Sequence, residues 1–208
     1  MAHYDCTRCG ESFGISPEMC PKCQTDSDYL KSKITNDVVE VQPKDHLDKW
    51  DKRFLDMAQL VGSWSKDPST KCGAVIVRPD RTVASVGFNG FPRECSDHQD
   101  LYDERELKYD RVVHAEVNAI LAAADRLDNC TLYLWSGPAK LFTCARCAGP
   151  IIQSGISRVV STRDGEYEER WRTDHARALE MYTEAGVQVD VLNVANHLTH
   201  TGTGFPLS

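Results

Sequence analysis

Two short segments of this chain carry side chains that could hold a metal ion and move protons beside it. They are Val113-His114-Ala115-Glu116 and, thirty residues on, Phe142-Thr143-Cys144-Ala145-Arg146-Cys147. One imidazole and two thiolates make three ligands for zinc, and a reactive zinc site keeps its fourth position for water. Each segment sits where a strand or loop runs into a predicted helix, so the ligands meet positive helix ends that favour thiolate. Glu116, in the first turn after His114, lies beside the ion without binding it. A carboxylate there takes a proton from zinc-bound water, passes it to a ring nitrogen and then protonates a departing amine. Zinc brings the pKa of that water to about 7, so the nucleophile is available at neutral pH. The predicted chemistry is the hydrolysis of an amino group from a heterocycle, leaving ammonia and a carbonyl. The alternative is a closed structural site, with Cys130 or Cys95 as fourth ligand and Glu116 merely solvated.

A second set of thiols opens the chain. Cys6-x-x-Cys9 and Cys20-x-x-Cys23 offer four sulfurs in two knuckles, with Gly10 and Pro21 where tight turns are wanted. Four thiolates close a tetrahedral structural zinc, and binding would fold a segment too short for a core of its own. A redox-active or disordered cysteine tract is the competing reading. Residues 1–35 carry four basic and five acidic side chains. That balance offers no basic patch, so docking or stabilisation suits this zinc ribbon better than nucleic-acid binding.

The whole chain has 208 residues, is 41% apolar and 26% charged, and carries a formal charge of −7. These values describe an ordinary globular protein with room for one full domain and a small appendage. The negative charge argues against a broad nucleic-acid surface, which needs clustered Lys and Arg. A small anionic ligand needs only a local basic pocket. No apolar stretch approaches the roughly 20 residues that would span a bilayer, and the first residues lack the basic start and apolar core of a signal peptide. Nine cysteines, six of them in Cys-x-x-Cys pairs, suit metal in a reducing compartment better than disulfides. A cytoplasmic location is expected.

The reading places the zinc ribbon at 1–26, a polar linker at 27–44, an alternating α/β domain at 45–192 and a C-terminal tail at 193–208. Trp50, Phe54, Leu55, Met57, Ala58, Leu60 and Val61 put apolar groups on one face of a first helix. Cys72–Val77 and Thr82–Phe88 read as paired strands across Arg78-Pro79-Asp80-Arg81. A polar helix near Leu101–Asp110 and an Ala-rich helix over His114–Leu127 follow. Thr131–Trp135 reads as a strand, Cys144–Ser154 as a helix and Arg158–Ser161 as a strand. Glu168–Ala185 reads as a helix stopped by Gly186, before a last strand at Val187–Leu192.

Taken together, the metal segments resemble the cytidine/deoxycytidylate deaminase superfamily, and more narrowly its deoxycytidylate (dCMP) deaminases. The resemblance runs from about Trp50 to Val191. It is carried further by Ser65-Lys66-Asp67-Pro68-Ser69-Thr70-Lys71, Gly73-Ala74-Val75-Ile76-Val77, Gly87-Phe88-Asn89-Gly90-Phe91-Pro92 and Ile151-Ile152-Gln153-Ser154-Gly155-Ile156. It implies a three-layer α/β/α fold around a five-stranded mixed sheet and conversion of dCMP to dUMP, which feeds thymidylate synthesis. It also implies His114, Cys144 and Cys147 as ligands of a catalytic zinc, Glu116 as proton shuttle and Asn89 as the residue that holds the deoxyribose. The loop from Asn89 through Cys95-Ser96-Asp97 resembles the segment that binds regulatory nucleotides in allosteric members. Those members are commonly hexamers, activated by dCTP and inhibited by dTTP. Thr143 stands where the family usually has proline and is expected to cap the following helix through its hydroxyl. Ser136–Leu141 is a longer loop than the resemblance implies, and Phe88 and Glu94 stand where Tyr and Gly are more usual.

Lys66, Ser69, Thr70, Lys71 and Arg93 are candidates for holding a 5′-phosphate, each weighed against a solvated surface role. Ala115 is a further candidate substrate contact. Tyr167 or Trp171 could stack on the pyrimidine, against helix packing for Trp171. Cys72 and Cys130 read as buried small hydrophobes, and His175 reads as a surface helix residue. Rival functions are deamination of a 5-substituted cytosine nucleotide, of a free nucleoside or of an aminopyrimidine intermediate. A rival of another class is a non-catalytic DNA-binding or assembly protein.

Overall fold

A computed structural model describes residues 3–5, 12–14, 47–137, 142–163 and 169–193. The chain divides into two compact units, Met1–Glu40 and Val41–Ser208. In the first, β1 (His3–Asp5) and β2 (Ser12–Gly14) pair antiparallel, with His3 opposite Gly14. Cys6, Cys9, Cys20 and Cys23, the linker and the tail residues 194–208 lie outside the described residues.

The second unit is built on five strands. They are β3 (Gly73–Val77), β4 (Val83–Phe88), β5 (Thr131–Trp135), β6 (Arg158–Arg163) and β7 (Gln188–Asn193), in the order β4-β3-β5-β6-β7. β3 runs antiparallel to β4 and β5, whereas β5, β6 and β7 are mutually parallel. The expected five-stranded mixed sheet is therefore present. Both its faces are covered, as the period-two alternation of a strand allows. Val75, Val77, Tyr133, Val160 and Leu192 face helix α1 (Lys49–Ser63), burying Phe54, Leu55, Ala58 and Val61 with them. Their strand neighbours Ala74, Ile76, Leu132, Leu134, Val159 and Val191 face the other way, against Ala115, Ala119, Cys147, Ile151, Ala178 and Tyr182. Those last six come from α4 (Ala115–Ala122), α5 (Ala145–Gln153) and α6 (Glu169–Ala185). The result is the three-layer α/β/α sandwich expected from the resemblance.

Two short helices, α2 (Asp100–Asp103) and α3 (Arg105–Arg111), replace the one polar helix read near 101–110, with Glu104 in extended backbone between them. The Ala-rich helix is shorter than read. It ends at Ala122 because Ala123 turns to extended backbone, and Leu127 is buried from the following loop. Asp48 caps α1 by accepting from the backbone N–H groups of Trp50 and Asp51. Gly87 brings α4 flush against β4: a Cβ there would fall 2.3 Å from the Ala119 nitrogen and 2.5 Å from the Ala115 oxygen. Any larger residue would push away the helix that begins at the metal segment.

At the far end of the sheet, Arg158 on β6 bridges Asp51 of α1 (2.8 Å) and Asp190 of β7 (2.6 Å). The Tyr133 hydroxyl donates to Asp51 at 2.8 Å. One guanidinium thus ties a helix and three strands together, and the paired carboxylates raise its pKa, chiefly through the Asp51 hydrogen bond.

Candidate metal centre

His114 and Cys144 are the N-cap residues of α4 and α5, each in extended backbone and neither capping its helix with its side chain. Both side chains instead turn toward one point. The His114 Nδ1 lies 3.4 Å from the Cys144 Sγ and 3.3 Å from the Cys147 Sγ, and the three donor atoms lie within 4.8 Å of one another. Tetrahedral zinc, with bonds of about 2.0 Å to nitrogen and 2.3 Å to sulfur, sets N···S separations of roughly 3.5 Å. The donor set and its spacing therefore fit zinc. Cys130, proposed above as a possible fourth ligand, is buried in the apolar core, and Cys95 is exposed; neither belongs to this cluster.

Electrostatics in the cluster express the same crowding. The hydrogen bond to Cys144, opposed by burial and aided by Glu116, raises the His114 pKa to about 9. The Cys144 thiol is held down to about 4, first by the Cys147 thiol donating to it, against burial, and then by His114. Cys147 is pushed up by Cys144, burial and Glu116. A divalent cation replaces protons in such a set, because bound cysteines must be thiolates. Glu116, 4% exposed, has its pKa raised by burial, against the pull of His114.

His114 and Cys144 line a pocket, with Cys147 buried behind them. The pocket walls also include Thr70, Asn89, Ala115, Glu116, Leu134, Phe142, Trp171 and His175. Asn89, Thr70 and Ala115 thus stand where a substrate contact would. The Asn89 amide is already committed: its Oδ1 accepts from the Cys72 N–H at 2.7 Å, and its Nδ2 donates to the Thr70 carbonyl at 2.8 Å. Lys66 instead reaches Asp97 at 2.6 Å, and the Lys71 ammonium donates to the Ser63 carbonyl at 3.3 Å. Neither lysine lines the pocket. Ser69 accepts from Lys108 at 2.5 Å and donates to Asp67 at 3.0 Å. Arg93 is exposed, and Tyr167 lies outside the described residues. Cys72 and Cys130 pack on the apolar core as expected, although Cys72 also reaches the pocket wall.

Two readings from the sequence are corrected. His175 is not a surface residue: it is 2% exposed, lines the pocket and packs edge-on to Phe142 with ring centroids 6.3 Å apart. Thr143 does not cap α5. Its hydroxyl pairs with the Tyr182 hydroxyl at 2.9 Å, and the first N–H of α5, on Ala145, donates to Asp174 of α6 at 3.2 Å.

The pocket also depends on a buried cation that sequence reasoning passed over. Lys108 on α3 lies 2.8 Å from Asp67, and both line the pocket. Asp67 further accepts from the N–H groups of Ser69 and Thr70. Burial raises its pKa, but Lys108 and these bonds outweigh it and leave the group below its usual range.

A layered α/β/α domain with an imidazole, two sulfurs and a carboxylate at the head of two helices defines a metal-dependent hydrolase class. The sequence profile of the cytidine and deoxycytidylate deaminase zinc-binding region matches residues 48–163, and the chain belongs to that family. An uncharacterized deaminase encoded in the luxG 3′ region of Aliivibrio fischeri is 48% identical over 144 residues, spanning 69% of this chain and 93% of its own length. The deoxycytidylate deaminase of Mus musculus is 34% identical over 148 residues, 68% of this chain and 79% of that protein. Its Homo sapiens counterpart is 33% identical over 155 residues, 72% and 83% respectively. The fold is shared with the dCMP deaminase of cyanophage S-TIM5, solved in complex with dCMP and dUMP. That match has a TM-score of 0.53 at 22% identity and covers 71% of this chain and 100% of that one.

Proposed function

We propose that this protein hydrolyses dCMP to dUMP and ammonia with a zinc ion held by His114, Cys144 and Cys147. The observation that carries the reading is the convergence of these three donors within 4.8 Å beside the buried Glu116, with His114, Glu116 and Cys144 lining a pocket. The deoxycytidylate deaminases among its relatives support the choice of substrate. Zinc bound there supplies a Lewis acid that makes water nucleophilic at neutral pH. Glu116 takes the proton from that water, delivers it to N3 of the cytosine and then serves the departing amine. The C4–O bond forms first, as N3 takes that proton; the second proton of the water then passes through Glu116 to N4, and the C4–N4 bond breaks to release ammonia and leave a carbonyl at C4. Ala115 and Asn89 line the approach to the ring and sugar, and Thr70 and Lys108, the latter bonded to Ser69, form the side that takes the phosphate. Leu134, Phe142 and Trp171 give the base an apolar berth that excludes bulk water.

The same reading gives Cys6, Cys9, Cys20 and Cys23 a second, structural zinc, and places the enzyme in the cytoplasm, supplying dUMP for thymidylate synthesis. No described helix is long and apolar enough to cross a membrane. It further takes the protein as a homo-oligomer, a hexamer, tuned by dCTP and dTTP through the loop after Asn89.

The test is ammonia release across dCMP, 5-substituted dCMP, free cytidine and an aminopyrimidine intermediate. dCMP is expected to be turned over best; a preference for unphosphorylated cytidine overturns the assignment. Retention of zinc without turnover of any of these would return the protein to a binding or assembly role.

A further inference from the structure

We propose that α6 sets the geometry of the metal knuckle by pinning the residues on both sides of Cys144, making Tyr182 and Asp174 positioning residues for the zinc ligands. The inference rests on the zinc reading above.

Cys144 must aim its sulfur while standing at a helix start, where its carbonyl accepts from the Cys147 and Ala148 N–H groups but the first N–H groups of the helix have no intrahelical partner. Its own side chain cannot cap, because it faces His114 and Cys147. The two neighbouring residues add the holding that α6 supplies. Before it, Thr143 is fully buried and its hydroxyl meets the Tyr182 hydroxyl, also fully buried, at 2.9 Å. After it, the Ala145 N–H donates to the Asp174 carboxylate at 3.2 Å, one of the orphan donors of the helix. Asp174 and Tyr182 lie on one helix, two turns apart, so α6 acts as a single rail along the knuckle. The Phe142 ring, one residue further back, packs edge-on to Tyr182 at 6.0 Å and to His175 at 6.3 Å. Residues 142, 143 and 145 are thus all fixed from α6, which lies beyond residues 48–163 that match the family. Partners that orient a metal ligand in this way typically change metal affinity by 10- to 100-fold when removed.

The test measures, in the full-length, zinc-loaded protein, release to a colorimetric chelator of the zinc that a Cys144→Ala control lacks, together with the melting temperature. Tyr182→Phe keeps the ring and removes the hydroxyl, stranding the Thr143 hydroxyl; both zinc retention and melting temperature should fall. In the double variant Thr143→Val with Tyr182→Phe, no polar group is stranded, so the melting temperature recovers. Zinc release should nevertheless stay at least 10-fold faster than in the wild type, because the pin is still missing. Asp174→Ala should also speed release, while Asp174→Asn, which keeps an acceptor, should stay close to wild type. Release within twofold of wild type in both the double variant and Asp174→Ala overturns the inference while leaving the zinc site standing. A wild-type protein that holds no more zinc than Cys144→Ala overturns both.

Discussion

The Lys108 ammonium lies 2.8 Å from the Asp67 carboxylate, with only 10% and 1% of the two side chains exposed. Through Asp67 the contact reaches Ser69, Thr70 and Asn89, so one ion pair braces part of the pocket wall. Removing one member of a buried pair leaves an uncompensated charge. Lys108→Met is therefore expected to destabilise the domain by about 3 kcal/mol and to raise KM more than it lowers kcat. Urea denaturation and steady-state kinetics check the two parts separately.

Asp67 also gives a direction with pH. Its pKa is lowered in the folded protein from an ordinary value near 3.8. Between the folded and unfolded values the unfolded chain binds more protons, so stability rises with pH through that window. The contribution is complete above the unfolded value and lost as pH falls through the folded one. Wild type should lose stability to acid below about pH 4, and Asp67→Asn should flatten that limb of the curve.

Glu116→Gln keeps shape and burial but removes the proton acceptor. Zinc content should be unchanged and turnover should fall by about 100-fold or more. Metal analysis and an ammonia assay on the same preparation decide it; persistent turnover would reject Glu116 as the shuttle. Cys144→Ala should instead lose the catalytic zinc, keep the structural one and lose activity, and chelator treatment of the wild type should abolish turnover until zinc is restored.

Arg158 is remote from the pocket lining yet holds Asp51 and Asp190 together. Arg158→Leu leaves two buried carboxylates facing each other and should cost about 3–5 kcal/mol. The kcat of the protein that remains folded should be unaltered. A large fall in kcat at low temperature would show that the two ends of the sheet are coupled.

Glu94 adopts a φ of +66°, in the left-handed region where a Cβ is disfavoured. Glu94→Gly relieves that clash and loses some chain entropy in exchange, so stability should hold or rise by about 0.5 kcal/mol. Glu94→Val should lower it measurably. Thermal unfolding of the two variants side by side gives the answer.

The sequence by itself determined which residues meet at the metal. His114, Glu116, Cys144 and Cys147 are named by type and spacing, since each pair lies at a helix start whose pattern is local. The strands β3, β5 and β6 are equally local in origin, because consecutive apolar residues such as Leu132, Tyr133 and Leu134 bury both faces of a strand; their order in the sheet comes from pairing between distant segments. The tertiary structure alone decided what surrounds the metal. Lys108 lies in a run of charged residues, and nothing in that run marks the one ammonium that Asp67, distant in sequence, will bury. His175 and Thr143 carry the same lesson: α6 packs down on the knuckle, so a histidine read as solvated is enclosed and a hydroxyl read as a cap turns to Tyr182. Ligand geometry follows short-range spacing; burial and pairing follow from which distant element arrives to close the space.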